Sequence, residues 1–210
     1  MVENMLASPL LKKWMNPLYL QEATAQELQA SFQAQQPKYL HLQRFLLPQK
    51  AKTMLQHLQR LKYQQVYKPD RYRYSVASPA AESCKPFSQF LASTAMQIYL
   101  QKLTGEKIHA CVQEIVSFQR QDYALLHDEE RLPQGIRFVV DLTQQWNAEA
   151  GGYQVYTLPE HDPLIIYPAF NTLTLIASTK DLRCFAKYSN SVSNARKQYR
   201  VQGVYQGKRL

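Results

Sequence analysis

The chain is short of the residues that build cross-links and metal cages. Among its 210 residues only Cys84, Cys111 and Cys184 are cysteines, and no two make a Cys-x-x-Cys pair. An odd count without that spacing argues against a disulfide framework and against a structural zinc site. No run is long and apolar enough to span a bilayer, and the opening MVENMLASPLLKKWMNP has no apolar core of the secretion type. The expectation is a soluble, cytoplasmic protein with no membrane partner. No segment repeats another. Acids are sparse: 16 Asp and Glu face 25 Lys and Arg, a net charge of +9. Such a field attracts nucleic acid, acidic proteins or anionic small molecules, without choosing among them.

What is present is enough for a core. Apolar residues make up 45% and aromatics 11%, which excludes global disorder. The length suits a single domain over 1–210, with a mainly helical layer over 1–106 and a β core over 107–210. In the first part, Thr24 and Glu27 have capping-box spacing. YLHLQRFL (39–46) alternates as a short strand does. The next segment puts Leu47, Met54, Leu55, Leu58 and Leu61 on one helical face, with Pro48 near its start. A long helix is expected from about Pro86 to Thr104, ended by Gly105. Between these helices, YQQVYKPDRYRYSVASP (63–79) reads as a surface loop or extended segment. Its tyrosines and cations would suit stacked bases and phosphates, or an acidic or peptide substrate at a pocket mouth; the favoured reading is a solvated segment whose tyrosines pack on the helices.

From Lys107 the character changes to eight short apolar runs between turns: KIHACVQEIVSFQ, YALLH, IRFVVDLT, GYQVYTL, PLIIYP, NTLTLIAS, RCFAKYS and QYRVQGVYQ. Strands after helices point to an α+β protein with a jelly-roll or barrel core and helices on one sheet.

Four pieces carry a resemblance. LLHDE (125–129) ends a strand with His-x-Glu. DLTQQWNAEAGGYQVY (141–156) has a strand–Trp–Gly-Gly–strand form. IIYPAFNTLTLI (165–176) has Pro168, Phe170 and Asn171 in order, and YRVQGVY (199–205) sets Gly203 before a bulky residue. Together they resemble the double-stranded β-helix oxygenases that use Fe(II) and 2-oxoglutarate, in particular the prolyl-4-hydroxylase-like branch.

The resemblance implies a fold, two cofactors and a site. Residues two apart on a strand share a face, so His127 and Glu129 would both enter the barrel and hold Fe(II). The cosubstrate's far carboxylate would need a buried cation, which an arginine fork suits. In the family a distal histidine completes the metal site, and this sequence has Ala186 in its place. The clamping arginine is replaced by Gln198, and a tyrosine near the cosubstrate by Phe118. Strand parity offers substitutes: Cys184 or Tyr188 as a third ligand, and Arg200 as the cation. Lys187 should point away.

The function so implied is a 2-oxoglutarate/Fe(II) oxygenase that hydroxylates a C–H bond of a protein, peptide or small-molecule substrate. The rival is a member of the same fold without catalysis, a binding module for a peptide, polysaccharide or nucleic acid. Ala186, Gln198 and Phe118 favour the rival, and His127-x-Glu129 favours the enzyme.

Overall fold

The computed structural model describes residues 8–125 and 134–207. Five helices and eleven strands follow one another in the order α1 (Pro9–Trp14), α2 (Glu22–Ala34), β1 (Tyr39–Gln43), α3 (Pro48–Arg60), β2 (Gln64–Lys68), β3 (Tyr72–Ala77), α4 (Lys85–Ala92), α5 (Thr94–Thr104), β4 (Ile108–Phe118), β5 (Tyr123–Ala124), β6 (Gly135–Leu142), β7 (Gln154–Thr157), β8 (Leu164–Ile166), β9 (Phe170–Ser178), β10 (Arg183–Ala186) and β11 (Gln198–Gly207). Each of the eight runs expected after residue 107 holds a strand among its described residues, YALLH at Tyr123–Ala124.

Every strand pair is antiparallel, in the order β1-β9-β6-β11-β4-β3-β5-β10-β7-β8, with β2 on the outer edge of β3. The sheet curls at β3. Its Ser75–Ala77 end pairs with β4, while Tyr72 and Arg73 pair with β5. One strand thus leads from a major sheet (β1, β9, β6, β11, β4) to a minor one (β5, β10, β7, β8). This is the double-stranded β-helix architecture.

Period-2 alternation separates the two faces of the major sheet. Ile136, Phe138 and Val140 of β6, Leu173 and Leu175 of β9, and Val201 and Tyr205 of β11 face the helices, in one buried cluster with Met54, Leu58, Phe87, Phe90 and Leu100. The alternate residues, Asp141, Thr172, Thr174, Gln198 and Arg200, are buried on the other face. The barrel side of the major sheet therefore carries a cluster of buried polar groups beside apolar ones such as Val116 and Phe118.

Asn171 locks the helical layer to the sheet. At φ 62°, its amide oxygen accepts from Leu46 N–H at 2.8 Å and its amide nitrogen donates to Leu46 O at 2.9 Å, just before α3 begins at Pro48.

Two local expectations are corrected. No capping box forms at Thr24: a 3-10 turn at Pro17–Leu20, capped by Asn16, already sets the chain up to enter α2 at Glu22. The long helix over 86–104 is two helices. Ser93 breaks it, donating its hydroxyl to Phe90 O at 2.7 Å while accepting Met96 N–H at 3.2 Å. Of the two forms expected for residues 63–79, loop or extended segment, the structure has the extended one, folded as the β2–β3 hairpin. Tyr74 turns inward and stacks on Phe118 at 5.3 Å. Gly105 does end α5, in the left-handed conformation.

Candidate functional site

The interior polar cluster begins where β11 runs beside β6. Arg200 lies directly opposite Asp141. Its Nε donates to Asp141 Oδ2 at 3.2 Å, and its Nη2 donates to Gly152 O at 2.7 Å and to Gln198 Oε1. The guanidinium carbon sits 5.3 Å over the Phe118 ring. Arg200 is 1% exposed. Asp141 Oδ1 accepts Thr143 N–H at 2.8 Å. Burial pushes the Asp141 carboxyl up from its ordinary pKa, and the Arg200 charge pulls it down.

The Trp146–Gly-Gly hairpin supports this cluster. Trp146 Nε1 donates to Gly151 O at 2.8 Å. Gly151 and Gly152 have φ of 74° and 68°, as a turn of this kind requires. A Cβ on Gly152 would lie 2.1 Å from Gln198 Nε2, so only glycine lets the hairpin close against the interior.

Of the residues singled out for metal, His127 and Glu129 lie outside the described residues. Ala186 is buried on β10, paired with Ala124 and Gln154 and clustered with Val116 and Phe118. The third-ligand position is therefore set among apolar side chains. Cys184 shares its inward face and packs with Tyr156 and Leu182. Burial raises its thiol pKa. Tyr188 lies beyond the end of β10, 46% exposed on the rim. Lys187 is exposed, pointing away as expected. Gln198 is fully buried opposite Phe118. Among the described residues no three His, Cys, Asp or Glu side chains gather as a metal group.

Asp141 is the residue that sequence reasoning missed. A usable signal was present: it shares parity with Val139 on β6, which puts a carboxylate on the inner face.

The chain matches the family described as "Oxoglutarate and iron-dependent oxygenase degradation C-term" over residues 7–209. It belongs to that family. It is thus an oxygenase-like protein of the 2-oxoglutarate/Fe(II) superfamily. Prolyl 3-hydroxylase OGFOD1 of Xenopus laevis is 32% identical over 98 residues, an overlap covering 43% of this chain and 19% of that protein. The chain therefore spans about a fifth of that relative's length. A Pseudomonas putida prolyl-4-hydroxylase superposes with a TM-score of 0.65 at 15% identity, over 86% of this chain and 99% of that one. A Trichoplax adhaerens prolyl hydroxylase, solved with a hypoxia inducible factor peptide fragment, gives 0.65 at 14%, over 87% and 91%. At such identities the likeness is one of fold. No helix among the described residues is long and apolar enough to cross a membrane.

The family's name implies iron and 2-oxoglutarate, and the described half of the interior does not fit them. Alanine at 186 offers no donor atom to a metal. A carboxylate clamp needs a free guanidinium edge, and Arg200 has spent Nε and Nη2 on Asp141, Gly152 and Gln198.

Proposed function

We propose that this chain is a peptide-binding module of prolyl-hydroxylase type, in which the oxygenase barrel survives and an internal ion pair stands where a cosubstrate clamp would be. The observation that carries the reading is the Arg200–Asp141 contact at 3.2 Å. A buried cation already neutralised by a carboxylate of its own fold gains little from a second carboxylate, which would bring like charge beside Asp141. Phe118 and Ala186 fit the same reading, since both replace polar groups with apolar surface. A peptide partner accords with the solved hydroxylase–peptide complex of this fold.

The second reading is an active hydroxylase with iron on His127 and Glu129 and 2-oxoglutarate on Arg200 and Gln198. One observation favours it. Arg200 Nη1 and Gln198 Nε2 are buried and have no hydrogen-bond partner among the described residues, which leaves two donors in the interior.

Anaerobic Fe(II) titration of the wild type and of His127→Ala separates the two. The module reading predicts weak binding that the substitution leaves unchanged. Low-micromolar binding lost in His127→Ala would overturn it.

A further inference from the structure

The described helices pack on the major sheet, and the outer face of the minor sheet carries an ordered stripe. β2, β3, β5, β10, β7 and β8 lie side by side. Arg73 of β3 is paired with Tyr67 of β2 on one edge and Tyr123 of β5 on the other. Continuing the β5–β10 register from Ala124↔Ala186 brings Lys187 opposite Tyr123. Lys187 N–H donates to Tyr153 O at 2.9 Å, and the Tyr153 and Tyr167 rings meet with centroids 5.2 Å apart. Read across the strands, the stripe is Tyr67, Arg73, Tyr123, Lys187, Tyr153, Tyr167.

Two adjoining grooves follow it and share Tyr188, with cavity volumes of about 460 Å³ and 340 Å³. Large apolar and aromatic side chains are exposed here: Tyr67 at 61%, Tyr167 at 48% and Tyr188 at 46%. Leu125 and Ile165 add to them, so five of the eight exposed large hydrophobic residues described fall on this one side. A cluster of that kind marks an interaction surface.

The spacing selects the occupant. Neighbouring strands are about 4.8 Å apart, so Arg73 and Lys187, two strands apart, are separated by roughly 9.6 Å. Tyr67, Tyr123 and Tyr153 repeat at the same interval. A polyproline-II chain rises about 3.1 Å per residue and returns to the same face every three residues, roughly 9.3 Å. Aromatic grooves receive proline rings of such a chain. Cations between the aromatics ask for carboxylates at the same repeat. Arg73 is held in place by Gln121 through Nη1 at 3.3 Å, while its Nε lies 3.4 Å from the buried Asp122 Oδ1, outside hydrogen-bond alignment. Asp122 offsets part of that charge. Glu149 lies on the rim of the Tyr153 groove.

We infer that this outer face docks a polyproline-II peptide carrying carboxylates three residues apart. The inference rests on the peptide-module reading above and adds the face and the chemistry. It requires nothing of the barrel interior. A failed peptide titration alongside absent iron binding removes this inference alone, whereas tight iron binding removes that reading.

The test is fluorescence polarisation with labelled (Pro-Pro-Glu)3, against a peptide of the same composition with its glutamates contiguous, (Pro-Pro-Lys)3, and oligothymidylate. The repeat peptide should bind at least tenfold tighter than each of the three. Lys187→Glu should weaken it at least tenfold and Tyr67→Ser at least threefold. Both positions are exposed, and unchanged thermal unfolding verifies that each variant is folded. Equal affinity for the contiguous-glutamate peptide, tighter binding of (Pro-Pro-Lys)3 or oligothymidylate, or indifference to Lys187→Glu would overturn the inference.

Discussion

Arg200 and Asp141 face each other across neighbouring strands, 3.2 Å apart and both shut away from solvent. Burying an ion pair gains little net stability over an apolar pair, but removing one partner strands the other charge. Asp141→Asn should therefore destabilise the fold by about 3–5 kcal/mol, measured by urea unfolding. Replacing both groups, Asp141→Leu with Arg200→Met, should recover most of that loss. A single variant as stable as the wild type would show that the guanidinium is not held by this carboxylate.

Gly203 is a site of close backbone approach. A Cβ there would fall 2.0 Å from Val112 O and 2.9 Å from the Phe138 ring. Gly203→Ala should cost roughly 1–3 kcal/mol, since the β4–β11 ladder must spread to admit a methyl group. An unchanged midpoint in chemical denaturation would show that the strands have slack there.

His41 introduces a pH dependence. It sits on β1, with Nδ1 2.9 Å from Thr174 Oγ1. Burial lowers its pKa, and the Asp141 charge partly restores it. The folded pKa lies below the unfolded value of about 6.5, so the unfolded chain takes up the proton first. The stabilising contribution is complete above that value and is lost as pH falls through the folded pKa. Asp122 and Asp141 shift upward and act in the opposite sense at lower pH, so the comparison is with His41→Gln. Between pH 7 and pH 5 the wild type should lose more stability than the variant. Parallel curves would contradict the assignment.

Much of this was legible beforehand because it is written in local pattern. The eight runs after Lys107 alternate clearly, Pro48 and Gly105 bound their helices, and Gly151-Gly152 announces a turn that needs positive φ. Residues 63–79 read as loop or extended segment, but the β2–β3 pairing was not legible because its residues are tyrosines, glutamines and cations, and such a pattern shows no apolar face. The break at Ser93 depends on one hydroxyl capping one helix and starting the next. Asp141 was missed for a different reason. Its partner is 59 residues away, and only the β6–β11 register brings them together. Alanine at 186 could be read from the sequence. That Arg200 has its own carboxylate could not.

Thermal unfolding with and without millimolar 2-oxoglutarate, with Fe(II) present and oxygen excluded, tests the central claim most directly. Any ligand selective for the folded state must raise the midpoint. With Arg200 bound to Asp141, the midpoint should stay where it is. A rise of several degrees that disappears in Arg200→Met would show that the arginine is available to a cosubstrate after all.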